Sequence, residues 1–111
     1  MEISFTDREL DVMAVLWQHG SGTVAEVRDA LPDDFAYTTV LTVLRTLEDK
    51  GFVTHVAEGK AHRYAPNVSQ DAAGQSALSR VLDKIFGGSP EMLLTQLVSD
   101  RDLDAAELRR L

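Results

Sequence analysis

The sequence predicts a mainly α-helical fold with a small β-hairpin, and three observations carry that expectation. Apolar residues recur at i, i+3, i+4 and i+7 over most of the chain, the spacing of helices that bury one face. Ser, Thr or Asp stands where such stretches begin, and Gly or Pro where they end. Between residues 52 and 65 the helical period gives way to two short extended runs around a glycine. The 111 residues suffice for one ordinary domain, or a small domain with an appendage. An apolar share of 44% beside 26% charged residues excludes a disordered chain and allows a modest core.

Thr6-Asp-Arg-Glu9 has the spacing of a capping box, in which hydroxyl and carboxylate satisfy free backbone N–H groups. Leu10, Met13, Ala14 and Trp17 follow as the apolar stripe of helix one, widened by Val12 and Leu16, with Val15 expected to be partly exposed. Gly20 is the expected stop. Thr23-Val-Ala-Glu26 repeats the box, and Val24, Val27 and Leu31 line a short second helix that Pro32 ends before the Asp33-Asp34 turn. A third helix is expected from about Tyr37 to Lys50, with Val40, Val43, Leu44 and Leu47 buried and Gly51 at the left-handed position after its end. Its β-branched residues suit a strand, but the 3.6 periodicity and the Lys-Gly ending outweigh them. Phe52 to Ala57 and Ala61 to Ala65 read as a hairpin around Glu58-Gly59-Lys60, closed by Pro66.

The composition shifts after Val68, which divides the expectation into a domain over 1–68 and a helical dimerisation domain over 69–111. Ser69 is placed to cap a long helix to Phe86, with Gly74, Leu78, Val81 and Ile85 on one line and Ala77 and Leu82 beside it. Gly87-Gly88 breaks that helix. Ser89-Pro90 starts another, in which the missing proline N–H costs nothing and Met92, Leu93, Leu94, Leu97 and Val98 are the apolar residues. Asp104 caps a last segment that stops in mid-pattern at Leu111, as a truncated chain would. Two such helices make too small a core, so a symmetric partner is the expected cover for Leu78, Val81, Leu82, Ile85, Met92, Leu94, Leu97 and Val98. Gly74 and Ala77 on the same face allow a close approach.

Three short helices followed by a two-stranded hairpin is the order of a winged helix-turn-helix, with helices two and three as the turn pair and the hairpin as the wing. Helix three would enter the major groove by its N-terminal end. Tyr37, Thr38, Thr39 and Thr42 present hydroxyls there, beside the positive end of the helix dipole. Thr39, Thr42 and Arg45 are the base-edge candidates; Lys60 and Arg63, with His62, are the wing's candidates for the DNA backbone. The net charge of -7 argues the other way, and favours the alternative of a winged-helix module that binds protein and not DNA. Its distribution softens that argument. Residues 1–35 carry two basic against eight acidic groups, whereas residues 36–66 carry four against three.

Other chemistry finds little footing. Without cysteine, disulfides, thiolate nucleophiles and cysteine metal sites are excluded. His19, His55 and His62 lack the spacing of a metal site, so neither metal nor cofactor is expected. No Gly-x-Ser-x-Gly elbow or phosphate loop appears, which speaks against an enzyme. No run approaches the roughly 20 apolar residues of a membrane span, and residues 1–20 lack the pattern of a secretion signal. No direct membrane binding is expected, and the cytoplasm fits best.

Four stretches make the chain resemble the penicillinase-repressor family, which includes the methicillin-resistance and copper-responsive repressors of bacteria. They are Thr6-Asp-Arg-Glu-Leu-Asp-Val-Met-Ala-Val-Leu-Trp17, Thr23-Val-Ala-Glu-Val27, Ala36-Tyr-Thr-Thr-Val-Leu-Thr-Val-Leu-Arg-Thr-Leu-Glu-Asp-Lys-Gly51 and His62-Arg-Tyr64. Leu82-Asp-Lys-Ile-Phe-Gly-Gly88 is similar to the family's dimerisation segment. The resemblance implies a homodimeric repressor whose winged helices bind a pseudo-palindromic double-stranded operator. Many relatives carry Arg at the place of Thr46, so the resemblance adds Thr46 to the DNA-facing candidates and implies a different operator. The copper-responsive branch uses a cysteine motif that this chain lacks. In the β-lactam branch a membrane-bound sensor metallopeptidase inactivates the repressor at an Asn-Phe bond, and the matching pair here is Gln96-Leu97.

Overall fold

The computed structural model describes residues 3–101 and 104–110 and is mainly helical with one small antiparallel sheet. In chain order the elements are α1 (Asp7–His19), β1 (Gly22–Thr23), α2 (Val24–Ala30), α3 (Tyr37–Asp49), β2 (Val53–Glu58), β3 (Ala61–Pro66), α4 (Gln70–Ile85), α5 (Pro90–Arg101) and α6 (Ala105–Arg109). Two compact units divide between Ala73 and Gly74, inside α4 and later than the composition shift after Val68. The ending at Leu111 lies outside the described residues.

In the first unit, both halves of the Thr6 capping box form: Glu9 N–H donates to Thr6 Oγ1 at 3.2 Å and Thr6 N–H to Glu9 Oε1 at 2.8 Å. The buried face of α1 differs from the expected stripe. It runs Glu9, Val12, Met13 and Leu16, while Ala14 is exposed, Trp17 is half-buried and Leu10 stands 42% exposed. The reason is the charge at Glu9. Its carboxylate is 4% exposed as a residue because the cap and both oxygens' bonds from Lys50 Nζ, at 3.0 and 2.9 Å, satisfy it. Apolar periodicity alone cannot assign a carboxylate to a buried face, so the stripe came out rotated. Burial would raise the Glu9 carboxyl, but the Lys50 and Thr6 hydrogen bonds outweigh it and hold the group below its ordinary value.

Val24, Val27 and Leu31 of the α2 segment are buried against Val40, Leu44 and Leu47 of α3 and the α1 face. Val43, expected fully buried, is half-buried on the flank of α3. Phe5 packs on Phe52 (centroids 4.8 Å apart) and edge-on to Trp17, whose Nε1 donates to Val68 O at 2.9 Å. That bond ties the end of the hairpin to α1.

The sheet has three strands in the order β1-β3-β2, not two. Gly22 and Thr23 pair antiparallel with Tyr64 and Arg63. Two residues carry no detectable alternation, which is why β1 escapes a pattern reading. A Cβ on Gly22 would sit 3.0 Å from Val27 Cγ2, so any larger residue there would push on the buried Val27 as the strand passes close to α2. β2 and β3 pair from Val53↔Pro66 to Glu58↔Ala61, and Gly59 turns the chain with φ +60°.

In the second unit, Ser89 Oγ accepts from Met92 N–H at 3.3 Å and Asp104 Oδ1 from Glu107 N–H at 2.8 Å, as their spacing anticipated. Leu78, Val81 and Ile85 share one line of α4 and are exposed, Ile85 at 69%. Met92, Leu94 and Leu97 of α5 are exposed as well, while Leu82, Leu93 and Val98 are half-buried. Among the described residues, no helix is long and apolar enough to cross a membrane.

Candidate nucleic-acid interface

Among the helices of the described residues, α3 alone begins without a side-chain cap. Thr6, Thr23, Ser69, Ser89 and Asp104 each accept a backbone N–H at the start of α1, α2, α4, α5 and α6. Ala36 offers α3 nothing comparable, and its first turn holds no acidic residue. The Tyr37 and Thr38 N–H groups and the positive dipole of that end are left for an anion or for water, while Thr39 N–H donates to Ala36 O at 3.1 Å. Tyr37 and Thr38 are exposed around it, and Thr39 is half-buried.

Further along the same helix, Thr42, Arg45 and Thr46 are exposed. Thr42 Oγ1 donates to Thr38 O and Thr46 Oγ1 to Thr42 O, each at 2.9 Å. Those hydroxyl protons are spent inside the helix, so both side chains face outward as acceptors with a methyl group. That chemistry suits a base-edge N–H or a thymine methyl better than a phosphate oxygen. Thr42 and Thr46 also border an open groove of about 640 Å³ with Arg8, Phe35 and the carboxylates Asp7, Asp11 and Asp33. The Arg8 guanidinium lies 4.9 Å from the centre of the Phe35 ring. This flank repels phosphate, and both Thr42 and Thr46 lie along it.

The wing separates its three expected cations. Lys60 occupies the turn, exposed and without an ion pair among the described residues. His62 is exposed but stacked on His55, rings 4.3 Å apart and 13° from parallel, and His55 Nδ1 is hydrogen-bonded to Glu48 Oε2 of α3. Arg63 is not at the tip. It is half-buried on the opposite face of β3, held by Glu26, Glu58 and Ser21. Both Glu26 oxygens accept from Arg63, which is why Thr23 forms only its own half of the expected second capping box. Hydrogen bonds from Arg63 hold Glu26 and Glu58 below the usual carboxylate range, and bonds to Glu58 and then Glu26 raise Arg63. Nothing in the local sequence around Glu26 or Glu58 points to this role. Cross-strand pairing of Thr23 with Arg63 was the missing signal, and it required β1.

The residues expected to hold a dimer lie in the second unit, where α4 and α5 expose apolar side chains on the single chain. In α5 these fall around the helix and not along one stripe. A Cβ added at Gly74 meets nothing within 4 Å among the described residues, so the room for a close approach is present. Gln96 and Leu97 are exposed in the middle of α5, where Gln96 Nε2 donates to Asp100 Oδ2 at 2.9 Å.

Comparison with known proteins gives a consistent result. A family model described as "Penicillinase repressor" matches residues 5–111. The transcriptional regulator BlaI of Mycobacterium tuberculosis is 38% identical over 111 residues, covering 94% of this chain and 78% of that protein. The penicillinase repressor of Bacillus licheniformis is 27% identical over 108 residues, covering 96% and 84%. The solution structure of monomeric B. licheniformis BlaI in complex with the blaP half-operator superposes with a TM-score of 0.55 at 32% identity, covering 65% of this chain and 90% of that one.

Proposed function

This chain belongs to the penicillinase repressor family, and on that premise we propose that it represses transcription as a homodimer on a two-fold-related operator. It is a regulator and not an enzyme. The observation that carries the DNA-binding part is the uncapped start of α3, flanked by exposed Thr38, Thr42 and Arg45 and half-buried Thr39. The half-operator complex of the B. licheniformis relative supports it. In this reading the α3 N–H groups and Tyr37 meet phosphate, Thr39, Thr42 and Arg45 meet base edges, and Lys60 meets the backbone from the wing. Thr46 and His62 border these contacts.

The homodimer rests on Leu78, Val81, Ile85, Met92, Leu94 and Leu97, whose exposure on one chain a second copy would remove. Linking two winged helices makes the second half-site contact intramolecular, which offsets the weak local charge. The cytoplasm, where the operator is, is the place of action. Relief of repression by a membrane-bound metallopeptidase cutting Gln96-Leu97 extends this reading, and it requires α5 to unwind, since a peptidase takes extended chain.

A second reading, a winged-helix module that binds protein alone, is favoured by the net charge of -7 and the acidic groove beside Thr42. A shift assay on the protein's own promoter region through a salt series separates the two. Binding that weakens by roughly one power of salt per phosphate contact is expected. Failure to shift any genomic fragment at low salt would leave the protein-binding module.

A further inference from the structure

We propose that Arg63 is a positioning residue and not a phosphate contact: with Glu26 and Glu58 it clamps the wing to α2 and so sets where Lys60 meets DNA. The inference rests on the DNA-binding reading above. A guanidinium has five N–H donors, and here all five are occupied. Nε and Nη2 each donate to Glu58 at 2.9 Å. Nη1 and Nη2 each donate to Glu26 at 3.0 Å, and Nη1 also reaches Ser21 Oγ at 3.3 Å. Two carboxylates on one cation leave the cluster net negative. To reach a phosphate, Arg63 would have to give up a bidentate partner and carry an unneutralised carboxylate towards DNA.

The base of the hairpin is held by Tyr64 in the core and by the pairing of β1 with β3, but its outer part is not. Every residue from Thr54 to His62 is exposed, so no core packing holds the outer hairpin, and an isolated two-stranded ribbon is marginal. The side-chain contacts that reach it from the body are Glu48 with His55 towards α3 on one face and Arg63 with Glu26 on the other. Glu58 is the last residue of β2, directly before the Gly59-Lys60 turn, and Glu26 sits in the first turn of α2. The bridge Glu58–Arg63–Glu26 therefore fixes the wing tip to the body that carries α3. Exposed ion pairs add little stability. What a doubly bidentate arrangement supplies is orientation.

Operator affinity of the full chain, measured across a salt series for five variants, tests the clamp. Lys60→Ala should weaken binding and flatten the salt slope by about one. Arg63→Gln should weaken binding about fivefold and leave the slope unchanged. Glu26→Gln removes a negative charge yet should also weaken binding, and the double variant E26Q/R63Q should be no worse than R63Q alone. Arg63→Lys should fail to restore affinity, because an ammonium cannot hold two carboxylates in a fixed fork. Hydrogen exchange on the unbound variants should show faster amides in residues 57–62 with circular dichroism unchanged. A flattened slope in Arg63→Gln, tighter binding in Glu26→Gln, or unchanged affinity in both would overturn the clamp. Absence of binding by the unsubstituted protein would instead overturn the DNA-binding reading on which the clamp depends.

Discussion

The two compact units bury apolar surface in different ways. Up to Ala73, the stripes of α1, α2 and α3 close on one another and on Phe52, Val53 and Tyr64, and the largest core side chains are fully buried within one chain. From Gly74 onward, Leu78, Ile85, Met92 and Leu94 remain about half or more exposed. The first unit is complete in a single copy; the second has the composition of a core without its cover. If the first unit reads DNA and the second forms the assembly, as proposed, the two roles are separable and substitutions should sort by unit.

The sharpest way to break that comparison is Val81→Asp. On a single chain the carboxylate stays in water, but in a two-fold seam it is buried unpaired, at several kcal/mol. The variant should sediment as a monomer, keep its winged-helix secondary structure and lose operator binding. Leu44→Ala should do the reverse. The residue is fully buried, and the cavity should cost about 2–5 kcal/mol in a thermal melt of the winged helix, with helical self-association retained where the fold survives. If both substitutions lowered stability alike, the units would not be independent.

Within the first unit, the proposed base-edge role of Thr42 predicts that Thr42→Ala changes relative affinities among operator variants by about 1–3 kcal/mol, since the exposed side chain offers an acceptor and a methyl group. Uniform weakening over all sites would move Thr42 to the backbone contacts. The smallest effect concerns Glu9. Its carboxyl is held below the ordinary value in the fold, so its contribution is fully present above the unfolded value and is lost as pH falls through the folded one. The stability gap between the unsubstituted protein and Glu9→Gln should be constant near neutral pH and close in acid. A gap that widened in acid would contradict the Lys50 assignment.

The local features were readable because their physics is local. A Thr, Ser or Asp three residues before a backbone N–H caps a helix whatever the rest of the chain does, and all five such side chains do so. The phase of α1 was not readable, since Lys50, which makes a buried Glu9 tolerable, stands far along the chain. The same applies to Arg63. Its sequence neighbours suggest a wing cation, but Glu26 is brought to it only by the pairing of β1 with β3. The course of α3 and the hairpin turn at Gly59 were legible because an apolar stripe and a glycine between two extended runs are local signals.

Sedimentation of the protein with a full operator and with an isolated half-site tests the central claim most directly. Two chains per full operator and one per half-site, with the full operator bound far more tightly, is the predicted result. A full operator saturated by a single chain, at the affinity of the half-site, would contradict it.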